Sequence, residues 1–257
     1  MTSRVVLLGQ HIGYSASPAM HAAAFAALGI DARYDLADVD RAGLADAVAA
    51  LRGEDHLGAN VTQPHKLAVG PHVDDRAPEV ERLGATNTIV RDGMRLIAHN
   101  TDLPAIRAEI AELAEPGTLR RAVVLGAGGA SRAVQAALAD DGVDVEVVDR
   151  ATWGTLPHRL PAADLLVNAT PIGTESDDSP VPPGLLRDDL AVLDLVYRPA
   201  TTRLVRDARA AGATAASGIG VLVRQGALSF TLWTGRPAPV GVMRDAVLHE
   251  LAVPTDA

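Results

Sequence analysis

Short apolar runs alternate with helical stretches along nearly the whole chain, and this alternation limits the possible folds more than any other feature. Val5–Gly9, Arg33–Leu36, Leu57–Val61, Arg121–Leu125, Val143–Val148, Asp164–Asn168 and Ala191–Val196 read as strands, with a weaker one at Ala213–Ala216. Most are continuous in apolar character, as strands buried on both faces are. Helix signals separate them at Ser17–Leu28 (closed by Gly29), Ala42–Leu51, Leu103–Leu113 and Ser131–Leu138. In the first helix Ser17 suits the N-cap and Pro18 the first helical position. Thr88–Arg91 and Arg95–Ala98 flank Asp92-Gly93 as a hairpin. Strands that alternate with helices imply right-handed crossovers and parallel pairing, which is the α/β class.

Glu115-Pro116-Gly117 interrupts this pattern, and the chain divides into a first α/β unit over residues 1–102 and a second over about 103–217. The final residues read as helices at Val221–Thr234 and Val240–Leu251, able to pack on either unit. Glu175–Gly184 is rich in Asp, Ser and Pro and reads as a loop.

Composition narrows the partners. The 257 residues are 48% apolar and 21% charged, with a formal net charge of −9. A surface of that sign repels nucleic acid and acidic membranes, so the expected partner is a small molecule. The absence of cysteine excludes disulfides, thiolate nucleophiles and cysteine metal sites. No apolar stretch reaches 18 residues, and the run after Met1 is too short for a signal-peptide core, so the expected location is cytoplasmic. Of 23 basic side chains other than histidine, Lys66 is the only lysine. Arginine stays protonated at any accessible pH, whereas lysine can yield its proton. A lone lysine among arginines is therefore a hint of proton transfer, with a chance lysine as the equal alternative.

Gly126-Ala127-Gly128-Gly129-Ala130 follows an apolar strand and leads into a helix at Ser131. Glycines there permit a tight turn and close approach of a pyrophosphate to the helix N-terminus. The next strand ends at Asp149, about 20 residues beyond the loop, where a ribose-binding carboxylate belongs. The combination predicts a Rossmann-type dinucleotide site. Asp149 favours NAD over NADP, because a carboxylate repels a 2′-phosphate, while Arg150 offers that phosphate a partner. Three further clusters are polar: Ser15-Ala16-Ser17, Asn60 to Lys66, and Asn87-Thr88 with Asn100-Thr101-Asp102. Each lies at a strand end or a helix start, where open α/β sheets bind ligands. Turn and capping chemistry selects the same residue types. Three clusters in one half of the chain favour a site for a ligand with several hydroxyls. His11, His21, His56, His65, His72 and His99 are scattered and read as caps or surface residues, and no metal site is expected.

These segments resemble the shikimate dehydrogenase family. The resemblance rests on Ser15-Ala16-Ser17-Pro18-Ala19-Met20-His21, Gly58-Ala59-Asn60-Val61-Thr62-Gln63-Pro64-His65-Lys66, Gly84-Ala85-Thr86-Asn87-Thr88 and Asn100-Thr101-Asp102. In the second half it extends through Gly126 to Arg132, Asn168-Ala169-Thr170-Pro171-Ile172-Gly173, Tyr197-Arg198-Pro199 and Gln225-Gly226-Ala227. It implies an N-terminal α/β substrate domain, with residues 221–257 packing back on it, and a Rossmann-type doubly wound dinucleotide domain over 103–220, with a cleft between them. It implies reversible oxidation of shikimate to 3-dehydroshikimate, with Lys66 and Asp102 as the acid/base pair. Ser15 and Ser17 would bind the carboxylate of a small polyhydroxylated cyclic acid. Asn60, Thr62, Asn87, Asp102 and Gln225 would hold its hydroxyls, with Tyr197 near the nicotinamide. Gly126, Ala127, Gly128, Gly129, Ala130, Asp149, Arg150, Asn168, Thr170 and Gly218 would serve the cofactor, NAD or NADP. A homodimer is left open.

The sequence departs from the family pattern at several points. His11 stands where proline is usual, Tyr14 where histidine is, and Ala22 where asparagine is common. Leu103-Pro104 follows Asp102 in place of glycine. Asp149-Arg150-Ala151 replaces Asn-Arg-Thr, and Gly154 replaces a later arginine; both changes strengthen the NAD reading. Val221 replaces a methionine. Quinate or an aminoshikimate is the alternative substrate, and a non-catalytic ligand sensor on the same fold is the alternative outside the enzyme class.

Overall fold

In the computed structural model, residues 2–115 and 117–252 are described. Pro116 of the expected chain break and residues 253–257 of the expected C-terminal helical segment lie outside them. Among the described residues no helix is long and apolar enough to cross a membrane.

The chain begins β1 (Ser3–Gly9), α1 (Ser17–Ala27), β2 (Ala32–Asp38), α2 (Leu44–Ala50), β3 (His56–Val61), β4 (Asp75–Arg76), α3 (Pro78–Leu83), β5 (Thr88–Asp92) and β6 (Arg95–His99). It continues α4 (Asp102–Leu113), β7 (Arg121–Leu125), α5 (Gly129–Asp140), β8 (Asp144–Val148), α6 (Leu156–Arg159), β9 (Leu165–Asn168), β10 (Ala191–Asp194), α7 (Arg203–Ala210) and β11 (Thr214–Ser217). It ends with α8 (Ile219–Thr234) and α9 (Val240–Ala252). Two compact units result: Met1–Asp102 with Val223–Ala257, and Leu103–Leu222.

The first unit holds a six-stranded sheet in the order β2-β1-β3-β5-β6-β4. It is mixed: β3–β5 pairs antiparallel, the turn at Asp92-Gly93 makes β5–β6 antiparallel as well, and the remaining pairs are parallel. Val6, Leu8, Ala59, Val61, Ile89 and Leu96 point into one core with Leu44 and Val48 of α2. On the other side α1 packs against β2 and α9 against α1. The helix signal at Ser17 needs one correction. Ser17 is already the first helical residue, and its N–H donates to Ser15 Oγ at 3.2 Å.

The second unit holds a five-stranded sheet, β11-β10-β9-β7-β8, parallel throughout. Its strands alternate faces as the period of two requires. Val124, Leu165, Val167 and Leu193 meet Ile106 of α4 and Val134 and Leu138 of α5. Val123, Leu125, Leu166 and Val192 meet Leu156, Leu160, Leu204 and Val205 on the opposite face. Helices on both faces make the sheet doubly wound. Each of these side chains contributes about 1.5–3 kcal/mol on burial, which is why five-residue strands suffice. The short stretch between Asp149 and Asp164 forms 3₁₀ turns and the four-residue α6 instead of a full helix and strand.

Candidate active site

Sheet register in the first unit brings distant polar residues to one edge. Asn60 at the end of β3 lies opposite Thr88, the first residue of β5, and Thr88 lies opposite His99 at the end of β6. Antiparallel pairing thus places Asn87-Thr88 and Asn100-Thr101-Asp102 beside the carboxyl end of β3. The loop after β1 joins them, since Gln10 N–H donates to the Gln63 carbonyl at 3.1 Å and Thr62 N–H to that of Leu8 at 2.9 Å. Ser15 and Ser17 sit on that loop and at the start of α1.

Lys66 leaves β3 on a 3₁₀ turn, His65–Leu67. The turn is pinned by His65, whose ring Nε2 lies 2.6 Å from the Val39 carbonyl oxygen, and by the Thr86 N–H, which donates to the Lys66 carbonyl at 2.8 Å. Lys66 Nζ donates to Asp102 Oδ2 at 2.7 Å, and the side chains are 15% and 9% exposed. Asp102 Oδ1 accepts from Asn87 Nδ2 at 2.9 Å. Both oxygens of the carboxylate therefore have defined partners, and the ammonium is fixed against one of them. A charge-assisted bond at this depth is stronger than one in water.

A second layer lies beneath the pair. Asn87 Oδ1 accepts from the Thr101 N–H at 2.7 Å, which fixes which way its amide faces. Asn87 Nδ2 also approaches Gln225 Oε1 at 3.3 Å. Asn60 Oδ1 accepts from the Tyr34 hydroxyl at 2.8 Å, and its Nδ2 lies within 3.2 Å of the Asn87 carbonyl, Thr88 Oγ1 and Ser229 Oγ. The Asn60 amide is thus committed inside the protein. Tyr34 stacks on His21 at 4.5 Å. His21 is fully buried with both ring nitrogens lacking a hydrogen-bond partner, and burial pulls its pKa down to about 3. His21 and His65 are therefore core residues, contrary to the expectation of caps or surface positions.

The second unit carries the glycine loop. Gly126 has φ +101°, and a Cβ there would stand 2.9 Å from the Ala169 carbonyl oxygen, so glycine is needed on both counts. Ala127 is exposed, Gly128 is the N-cap of α5, and Gly129 and Ala130 form its first turn. Ser131 Oγ donates to the Gly126 carbonyl at 2.7 Å and closes the loop. Asn168 Oδ1 accepts from Thr170 N and Oγ1, and its Nδ2 donates to Asp194 Oδ1 at 2.9 Å. Asp194 also accepts from Thr202 Oγ1 and Val196 N–H, and burial raises its carboxyl against the pull of those bonds. Tyr197 follows on the same segment, half-buried. A Cβ at Gly218 would collide with the Leu195 carbonyl.

Asp149 does a local job. Its Oδ1 accepts from Ala151 N, Thr152 N and Thr152 Oγ1 at 2.8–3.0 Å, and the Thr152 bonds hold its carboxyl below the usual range. Arg150 is exposed beside it. Hydrogen bonds therefore link Lys66, Asp102, Asn87, Gln225 and Asn60, while Ser15, Ser17 and Thr62 share the same end of the sheet. Thr88, Thr101, Tyr34, Ser229 and Asp194 enter these networks although the sequence assigns none of them a role. Asp194 closes an apolar strand and offered a signal, whereas Ser229 sits inside a helix and offered none.

Known proteins resemble the chain throughout. A family model for the shikimate dehydrogenase substrate binding domain matches residues 7–89, and one for the shikimate 5′-dehydrogenase C-terminal domain matches 218–248. The chain is 42% identical to the shikimate dehydrogenase (NADP(+)) of Symbiobacterium thermophilum, over 95% of this chain and 93% of that protein. Among solved structures, shikimate 5-dehydrogenase from Thermus thermophilus in complex with NADP(H) and shikimate superposes with a TM-score of 0.87 at 36% identity, covering 97% of this chain and all of that one. Quinate dehydrogenase from Corynebacterium glutamicum in complex with NAD gives 0.86 at 30% identity, covering 96% and 99%.

Proposed function

The chain belongs to the shikimate dehydrogenase family, and from that premise we propose that it oxidises shikimate reversibly to 3-dehydroshikimate, with NADP as hydride carrier and Lys66 and Asp102 as the acid/base pair. The observation that carries this reading is the 2.7 Å contact between Lys66 Nζ and Asp102 Oδ2 at the polar edge of the first sheet. One N–H of the ammonium is engaged by Asp102, which leaves two for a substrate oxygen. In oxidation Lys66 acts as the neutral amine: with one N–H on Asp102, its lone pair takes the hydroxyl proton as the hydride leaves the carbon, and in reduction the resulting ammonium returns that proton to the carbonyl oxygen. Asp102 holds Nζ in place and stabilises the charged form. Ser15 and Ser17 bind the substrate carboxylate. Thr62, Asn87, Gln225 and Tyr197 serve its hydroxyls and ring. Asn60 supports them from beneath, since its amide is already committed to Tyr34 and the neighbouring strands.

The glycine loop fits a dinucleotide. Gly126 tolerates no side chain, and the N-terminus of α5 presents free N–H groups to a pyrophosphate. A nicotinamide dinucleotide held there would supply the hydride acceptor for oxidation and the hydride donor for reduction. Gly126, Ala127, Gly128, Gly129 and Ala130 line the phosphates, with Asn168, Thr170 and Gly218 toward the nicotinamide. NADP stands in the names of the curated relatives, and Arg150 gives this chain an exposed cation for the 2′-phosphate. The expectation of NAD, drawn from Asp149, finds no support among those relatives.

Nicotinamide absorbance with shikimate and quinate, each against NADP and NAD, tests the reading. Shikimate with NADP should give the highest kcat/KM. A preference for quinate with NAD would transfer the assignment to the reaction named for the Corynebacterium neighbour, and no turnover with either acid would refute it. Lys66→Arg should lower kcat by about 10²–10⁴-fold, because a guanidinium cannot give up its proton.

A further inference from the structure

Ser229 has no solvent exposure and lies on α8, far in sequence from the residues it touches. Its Oγ is 2.7 Å from Thr88 Oγ1, 3.1 Å from Thr101 Oγ1 and 3.1 Å from Asn60 Nδ2, and it donates to the Gln225 carbonyl at 3.0 Å. The hydrogens of this cluster can be assigned from the groups whose roles are fixed. Thr101 N–H donates to Asn87 Oδ1, so Asn87 Nδ2 must supply both Thr101 Oγ1 at 2.8 Å and Asp102 Oδ1 at 2.9 Å. Thr101 Oγ1 is then an acceptor toward Asn87, and its own hydrogen must go elsewhere. Ser229 gives its hydrogen to the Gln225 carbonyl, so across the 2.7 Å contact Thr88 must be the donor, and Ser229 accepts from Thr88 and, at 3.1 Å, from Thr101.

We infer that Ser229 is a positioning residue for the Lys66–Asp102 pair: as the acceptor for Thr101 it sets the direction of the hydroxyl chain that orients Asn87, and through Asn87 it orients Asp102. This rests on the acid/base reading of Lys66 and Asp102. Without the Ser229 oxygen, Thr101 and Asn60 compete for Thr88 Oγ1, at 3.3 and 3.2 Å. The Thr101 N–H still fixes which way the Asn87 amide faces, but the Thr101 hydroxyl can turn away from Asn87 Nδ2, and the alignment of Asp102 with Lys66 loosens. Misalignment of a reacting pair reduces the chemical step more than binding.

The experiment measures steady-state shikimate oxidation with NADP. Ser229→Ala should lower kcat about tenfold with KM for shikimate within twofold. Thr231→Ala is the control. That exposed hydroxyl lies on the same helix and donates to the Ala227 carbonyl, so its loss should leave kcat unchanged. Because Ser229 acts through Thr101, Ser229→Ala should cause no further loss of kcat in a Thr101→Val background. Wild-type kcat in Ser229→Ala, or an equal loss in both backgrounds, overturns the inference. If Ser229→Ala does not fold, Ser229→Cys keeps the volume with a weaker acceptor and should lose about two- to fivefold in kcat; an unchanged kcat there also overturns it. Lys66→Met separates the two readings. Retained turnover in that variant removes the acid/base pair and the inference together, whereas an inactive Lys66→Met with a normal Ser229→Ala removes the inference alone.

Discussion

Two residues carry consequences that their neighbours decide. Asp149 offers one oxygen to its own turn, through the N–H groups of Ala151 and Thr152 and the Thr152 hydroxyl. Its charge still stands beside Arg150 at the strand end where a ribose would lie. Asp149→Asn keeps Oδ1 for the turn and removes the negative charge. It should raise kcat/KM for NADP relative to NAD by about tenfold, the size of one good charged contact, and an equal change with both cofactors would make Asp149 structural only. His21 has a different consequence. Its pKa falls to about 3 because the buried ring cannot take a charge, whereas in the unfolded chain it titrates near 6.5. Below pH 6.5 the unfolded state therefore binds a proton that the folded state does not. The stability contributed by neutral His21 is complete above pH 6.5 and is lost as pH falls toward 3, at about 1.4 kcal/mol per pH unit. His21→Phe keeps a ring against Tyr34 and cannot titrate. Between pH 6.5 and 5 its stability in urea should gain about 2 kcal/mol on that of the wild type, and a difference that does not change with pH would contradict the assignment.

At the scale of elements, close packing at β3 limits what the site strand can hold. Gly58 has φ +154°, and a Cβ on it would run into the Ile89 carbonyl of β5 and stand 2.8 Å from Trp233 Nε1. Trp233 Nε1 donates to that same carbonyl at 2.9 Å, so Gly58 leaves room for the bond that ties α8 to β5. Gly58→Ala should cost about 2–3 kcal/mol in urea unfolding and lower kcat as well, because Asn60 lies two residues further along the strand. An unchanged midpoint would show that the sheet relaxes freely. Most elements were legible in the sequence for a related reason. Strands buried on both faces leave unbroken apolar runs, so β7, β9 and β10 were located to within about two residues, and Asp92-Gly93 located the hairpin. The elements that escaped leave weaker traces. β4 is two residues long and, among the described residues, pairs only with β6. In α7 only Leu204, Val205 and Ala208 are buried, within an otherwise charged segment. At the site, Lys66 and Asp102 were legible because composition and motif both marked them. Ser229 was not, since its partners Thr101, Thr88 and Asn60 lie 128, 141 and 169 residues away, and a serine in an apolar helix carries no local sign of a buried network. Asn60 was read as a ligand group because a strand-end asparagine suits either task, and only the geometry shows its amide already committed.

At the scale of the whole molecule, the two units are built differently from the same chain. Leu103–Leu222 is continuous in sequence and has a helix-covered core on each face of a parallel sheet. Each strand there finds its neighbours within that stretch. The first unit is discontinuous. Its sheet is complete by His99, but Phe230 packs on Phe25 at 5.3 Å, Trp233 bonds to β5, Ser229 joins the site network, and α9 covers α1 with Met243 and Val247 fully buried. A chain ending at Asp102 would expose the face of α1 that α9 covers and leave Thr88, Thr101 and Asn60 short of a buried partner, each such loss costing about 1–3 kcal/mol. Native domains hold only about 5–15 kcal/mol in total, so the deficit is of the same size as the stability itself. A fragment of residues 103–222 should therefore unfold cooperatively in urea with native-like far-ultraviolet dichroism, whereas residues 1–102 alone should show no cooperative transition. Adding a peptide of residues 223–257 should restore one. Cooperative folding of 1–102 by itself would mean that the C-terminal helices decorate a finished domain, and the case for α8 as part of the site's foundation would weaken with it.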